Sequence, residues 1–134
     1  MKIRKCLNSD SKYIVKILKL NNQYDYPDIE GPRAMERVSK CKAAMSFVAV
    51  IDNRIVGYVK AAYDGSRAII HLLSIHPGYQ NKGIGSALLS AIEDKLKKRG
   101  APTVAVTATN KSVSFWKKKD FKRLPVFLML KRIK

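Results

Sequence analysis

Apolar and polar positions divide the chain into segments of two periods, near 2 and near 3.6. Met1 to Cys6 alternates as a short strand. Ser9-Asp10-Ser11 then offers capping side chains ahead of Tyr13, Ile14, Ile17 and Leu18, which share one helical face. Asn21 to Pro32 (NNQYDYPDIEGP) is rich in turn formers and predicts a loop, followed by a second short helix from Arg33 to Cys41. Ser46 to Ile51 and Ile55 to Ala62 read as strands joined by a hairpin turn at Asp52-Asn53-Arg54. Ala68 to Ile75 (AIIHLLSI) is a further strand, and its near-continuous apolar run predicts cover on both faces. Pro77 ends it. From about Lys82 to Arg99, Ile84, Leu88, Ala91, Ile92 and Leu96 keep helical spacing until Gly100 and Pro102 stop the helix. Thr103 to Ala108 predicts a strand, Ser112 to Lys119 a short helix, and Phe121 to Leu130 a closing hairpin or bent strand pair around Pro125.

Strand, helix and strand from Ile69 through Val106 form a βαβ unit, so those two strands run parallel with a right-handed crossover. The strands joined by short turns are antiparallel. The prediction is an α/β (mixed α+β) fold: a mixed, mostly antiparallel twisted sheet with helices on both faces, in one domain spanning residues 1–134. At 46% hydrophobic residues the chain has material for one core. No stretch approaches the roughly 18 consecutive apolar residues of a membrane span, and MKIRKCL leads into polar NSDSK, so a cytoplasmic protein without a membrane partner is expected. Cys6 and Cys41 lack CxxC spacing and, with two histidines as the other strong ligands, suggest reduced structural cysteines and no metal site.

Charge changes the picture. Against 10 Asp and Glu stand 27 Lys and Arg, a net +17, which attracts polyanions: nucleic acid, an acidic protein acceptor or a multiply phosphorylated cofactor. The lysines are scattered, and neither a recognition helix nor an interleaved aromatic and basic surface is evident, so nucleic acid is the weakest of these.

The chemistry centres on Gln80-Asn81-Lys82-Gly83-Ile84-Gly85-Ser86. A dinucleotide fingerprint needs a small residue where Leu88 stands and an acid after the next strand, whereas here Thr109-Asn110 follows; a P-loop needs GK[ST], which is absent. Two readings remain: a plain glycine-rich turn, or a phosphate site where unpaired N–H groups, a helix dipole and Lys82 meet an anion that glycine lets approach.

LLSIHPGYQNKGIGSALL, with Q-x-x-G-x-G after a strand ending L-x-[VI]-x-P, resembles the acetyl-CoA signature of the GNAT superfamily of N-acetyltransferases. The order of elements around it is similar along essentially the whole chain, and FVAVIDNRIVGYVKAAYDGSRA resembles the small stand-alone YpeA-like members. The resemblance implies direct transfer of acetyl from acetyl-CoA to a primary amine, with no metal. By position it implies that Leu73, Ser74 and Ile75 give backbone groups to the pantetheine arm, that Gln80, Asn81, Lys82, Gly83, Ile84, Gly85 and Ser86 cradle the pyrophosphate, and that Asn110 also holds the cofactor. The family's general-acid tyrosine falls where Phe115-Trp116 stand here, and Asp120 replaces a glycine. Trp116 therefore packs against the pantetheine arm or in the core.

Many members carry a Glu as base on the central strand where His71 stands here, and a histidine's ordinary pKa near 6.5 suits removal of an amine proton at neutral pH. The rival reading of His71 is a packed structural histidine. Glu30 and Asp28, in the loop that members use against the acceptor, are alternative bases, and His76 reads as a turn residue. Two other functions stay open: a CoA-binding protein without transferase activity, for which Trp116 argues, and a basic nucleic-acid-binding module. VFLML near the C-terminus leaves monomer and homodimer both open.

Overall fold

The computed structural model describes the whole chain, Met1–Lys134. Its centre is a five-stranded sheet in sequence order: β1 (Lys2–Lys5), β2 (Ala44–Ile51), β3 (Arg54–Tyr63), β4 (Ala68–Ile75) and β5 (Ala105–Val106). β1 to β4 pair antiparallel, and β4 pairs β5 parallel, as the crossover requires. Helices α1 (Ser11–Leu20), α2 (Pro27–Glu30) and α3 (Pro32–Ser39) precede β2, α4 (Ile84–Arg99) makes the crossover, and α5 (Val113–Lys118) follows β5.

Two apolar clusters follow from the strand alternation. On one face Ile14 and Leu18 of α1 and Met35 of α3 pack on Val48 and Tyr58. On the other, Ile84, Leu88, Leu89, Ile92 and Leu96 of α4 pack with Trp116 on Val56, Val59, Ala61 and Ile70. Gly57 permits the second contact: a Cβ there would lie 3.0 Å from both Ile75 Cδ1 and Leu88 Cδ1, so α4 rests close against β3. At the β1–α1 junction Asp10 is buried, takes two hydrogen bonds from the Arg4 guanidinium (2.8 and 2.9 Å) and one from the Leu7 N–H. Burial alone would raise the Asp10 pKa, but these bonds and the Arg4 charge outweigh it and the net shift is downward.

Three sequence expectations need correction. The loop Asn21 to Pro32 contains the short helix α2, started by Pro27 at a first-turn position where its missing N–H costs nothing. The strand expected over Thr103 to Ala108 is paired only at Ala105 and Val106, because β4 and β5 diverge beyond Ile70. The closing hairpin is absent: Phe121 onward forms no strand, and Leu124, Val126, Phe127, Leu128, Met129, Leu130 and Ile133 are all exposed. An apolar run has strand propensity, but a strand needs a neighbour, and here the chain supplies none. No helix is long and apolar enough to cross a membrane.

Candidate functional site

The divergence of β4 and β5 creates the site. Hydrogen bonding joins them at Ile69 and Ile70 only, so the outer edge of β4 from Leu72 to Ile75 lacks a strand neighbour. Alternation decides which backbone groups face the gap. The His76 N–H binds Val56 of β3, so Ser74 also turns its backbone to β3, while Leu73 and Ile75 face outward. The outward carbonyls confirm the parity: Ile75 O accepts from Asn21 Nδ2 at 2.8 Å and Gln80 Nε2 at 3.1 Å, and Leu73 O accepts a long contact from Gln23 Nε2 at 3.5 Å. Ser74 is buried, and its hydroxyl accepts from Asn21 Nδ2 at 2.7 Å.

Next to this edge the chain enters α4 through two left-handed residues, Asn81 (φ 62°) and Gly83 (φ 80°). None of the backbone N–H groups from Gln80 to Ser86 reaches a protein acceptor; the first helical bond at this end is donated by Ala87 to the Gly83 carbonyl. No side chain caps the helix. A run of free N–H groups on a positive dipole end is an anion cradle, and it is the feature a pyrophosphate requires. Lys82 stands over the Tyr79 ring, 5.4 Å from its centroid. The two glycines answer to different constraints. Gly83 is needed for its backbone conformation, with open space where a Cβ would go. Gly85 has ordinary helical geometry, and a Cβ would only touch the Phe115 ring at 3.4 Å and Leu73 Cδ2 at 3.7 Å. Protein packing does not demand its glycine.

A second cluster lies on the α1–α3 face. β4 bulges at His71: Lys60 pairs with Leu72 and Ala61 with Ile70, leaving His71 as the extra residue. The bulge turns a ring out of an otherwise apolar strand, and His71 is solvent-accessible. Surrounding protein still displaces water from it, and this desolvation, with the Lys60 charge, lowers its pKa from 6.5. Glu30, at the end of α2 and partly buried, has its pKa raised by desolvation, an effect the same Lys60 opposes. The fold thus gathers residues far apart in sequence, Glu30, Lys60 and His71, into one electrostatic neighbourhood. Asp28 is separately occupied by Arg132, at 2.6 and 3.2 Å.

Of the remaining candidates, Trp116 takes the core rather than the cleft. It is 5% exposed and stacks edge-on to Phe115 and Phe121, so the aromatic bordering the start of α4 is Phe115. Asn110 is exposed in the turn that Ser112 closes by accepting from the Thr109 N–H at 3.0 Å. His76 serves its own turn, Nδ1 accepting from the Gly78 N–H at 3.0 Å. Sequence reading missed Asn21, Gln23 and Lys60. Only Lys60 leaves a trace there, as a charge inside the strand IVGYVKAA on the face of Tyr58.

A cavity of about 250 Å³ between α3 and β2 includes none of Gln80–Ser86 and none of Glu30, Lys60 and His71. Cys6 lines it, and burial pushes that thiol up to about 11, leaving no thiolate at neutral pH. No group of three or more His, Cys, Asp or Glu side chains is placed to hold a metal.

Comparison with known proteins agrees with this fold. An acetyltransferase from Yersinia pestis is 32% identical over 102 residues, 74% of this chain and 72% of that protein. A transcriptional regulator from Bacillus halodurans superposes with a TM-score of 0.84 at 24% identity, covering 98% of this chain and 99% of the other. The PaiA N-acetyltransferase from Thermoplasma acidophilum, solved with coenzyme A, gives a TM-score of 0.84 at 18% identity over 94% and 92% of the two chains. The sequence profile of the acetyltransferase (GNAT) family matches residues 12–121. With that match and the Yersinia relative, the chain belongs to the acetyltransferase (GNAT) family and is an acetyl-CoA-dependent N-acetyltransferase.

Proposed function

We propose that one domain spanning the chain holds acetyl-CoA with its pyrophosphate on Gln80–Ser86 and its pantetheine arm along Leu73 and Ile75. The acceptor, a primary amine, approaches from the face carrying Glu30, Lys60 and His71. The observation that supports the first part is the unbroken run of N–H groups without acceptors beside a strand pair that separates. Acetyl-CoA, when bound, supplies an acyl thioester; the chain's own residues supply position and proton transfer.

Lys60 divides the labour on the acceptor side. Its charge adds to the desolvation that disfavours a proton on His71, and it opposes the desolvation that raises the Glu30 pKa. Near neutral pH the imidazole is therefore the free base, and the Glu30 carboxylate attracts and orients the incoming ammonium group. His71 takes the amine proton at a ring nitrogen, directly or through a water. A carboxylate at the entry of a strongly basic chain favours a cationic amine over an acidic protein as acceptor. Neither Phe115 nor Trp116 can protonate a thiolate, so that proton comes from another tyrosine or from water.

Gly85→Ala tests the cradle. The methyl fits against Phe115, so stability is retained or improved, but it stands between the helix start and a phosphate. Calorimetric titration should show acetyl-CoA affinity reduced by about tenfold. Wild-type affinity in this variant, with the thermal transition unchanged, would show that the phosphate lies elsewhere.

A further inference from the structure

Outside the acetyl-transfer site, the cavity between α3 and β2 has a lining that packing alone does not explain. Ser46 Oγ, beside the Tyr58 phenol on the same face of the sheet, is buried there with no hydrogen-bond partner. No other buried side-chain nitrogen or oxygen in the chain is left in that state. A stranded hydroxyl lowers stability, whereas an alanine at the same place would leave nothing unsatisfied. Met35 and Val38 of α3 and Ala44 of β2 give the cavity apolar walls. Its exposed rim is cationic, with Lys5, Lys40, Lys42 and Arg99, and the lining contains no Asp or Glu. Lys40 lies 3.6 Å from Glu36, and one Arg99 nitrogen donates to the Lys42 carbonyl at 3.2 Å, but Lys5 and Lys42 have no acidic partner. The interior adds no opposing charge. Burial raises the Cys6 thiol to about 11 and pushes the Tyr58 phenol up as well, so both are neutral near pH 7.

We propose that this cavity binds a small organic acid with a ring-sized apolar body, its carboxylate at the Lys5 and Lys42 rim and a hydroxyl at its inner end bonded to Ser46 Oγ. Each part of the ligand answers one feature of the lining. An apolar cavity of about 150 Å³ suffices for benzene, so about 250 Å³ has room for a ring with a short acidic arm. The ligand's inner hydroxyl supplies the bond that the fold withholds from Ser46, and a site built in this way discriminates against analogues that lack the group. The cationic rim draws the carboxylate from solution and fixes which end enters first. An ordered water would satisfy Ser46 but leave the apolar walls wet and the rim without a counter-charge. A phosphate or other small anion would use the rim alone.

The full chain, labelled with nitrogen-15 and saturated with coenzyme A, tests this with p-hydroxyphenylacetate as the probe in about 0.15 M NaCl. Amide shifts should saturate at one site, with Kd on the order of 0.1 mM, and centre on Cys6, Val38 and Ala44–Ser46. Phenylacetate, which lacks the inner hydroxyl, and p-hydroxyphenylethanol, which lacks the charge, should each bind roughly tenfold more weakly. Ser46→Ala should keep or raise the thermal transition, bring p-hydroxyphenylacetate down to the affinity of phenylacetate and leave coenzyme A affinity unchanged. Lys5→Gln with Lys42→Gln alters only exposed side chains; it should weaken both acids and not the neutral alcohol. Four results would each overturn the proposal: no saturation below about 10 mM, an equal response to acetate, shifts centred on Gln80–Ser86 or on Glu30, Lys60 and His71, or an undiminished preference for the hydroxyl in Ser46→Ala.

Discussion

At His71, burial and the Lys60 charge push in the same direction, toward the neutral ring. The unfolded chain therefore binds that proton more readily than the folded one. As pH falls through 6.5 toward the lower folded value, His71 subtracts from stability, and above 6.5 it contributes nothing. The same depression sets the expected rate profile: kcat/KM should keep its plateau below pH 6.5 and decline only as the folded imidazole takes a proton. His71→Ala should lower kcat by roughly 10²-fold and remove that decline, leaving acetyl-CoA affinity unaltered. Glu30→Gln should chiefly raise the KM for the amine, since the carboxylate's role is to draw in and orient a cation. If Glu30→Gln instead abolished kcat and His71→Ala did not, the two roles would have to be exchanged.

Elements show where sequence reasoning reached its limit. The βαβ order, the antiparallel hairpins and the start of α4 were all legible, because each rests on local periodicity and on glycine or proline punctuation. The bulge at His71 was not: AIIHLLSI has the same apolar run with or without an extra residue, and only the register with β3 reveals it. Asn21 and Gln23 were invisible as well, since their partners lie 54 and 50 residues away on the outer edge of β4. The substitution of Asp120 for a glycine, noted from the sequence, gains a physical meaning. Asp120 sits at φ 68° just past α5, where its N–H binds the Lys117 carbonyl and that of Phe121 binds Trp116, a left-handed helix stop. Relief of that conformation should outweigh the larger unfolded-state entropy of glycine, so Asp120→Gly should stabilise the chain by about 0.5 kcal/mol in urea unfolding. A loss of stability would mean that the Asp120 carboxylate makes an interaction the helix end depends on.

For the whole molecule the question is whether +17 or the cradle selects the cofactor, because acetyl-CoA, ATP and a short DNA duplex are all polyanions drawn by the same field. The two sources of affinity differ in range. Exposed lysines act over distances that salt screens, with a Debye length of about 30 Å at 0.01 M and about 3 Å at 1 M. N–H groups donating directly to a phosphate, and outward strand groups pairing with an amide-bearing arm, act at contact and survive screening. Raising NaCl from about 0.05 to 0.5 M should therefore weaken acetyl-CoA by roughly tenfold while leaving one saturable site, and should reduce ATP and DNA much further. The Gly85→Ala variant separates the terms: it should lose affinity for acetyl-CoA at both salts and leave DNA binding unmoved. Equal, salt-erased binding of all three ligands would assign the affinity to the field of the whole molecule and remove the cradle from the site.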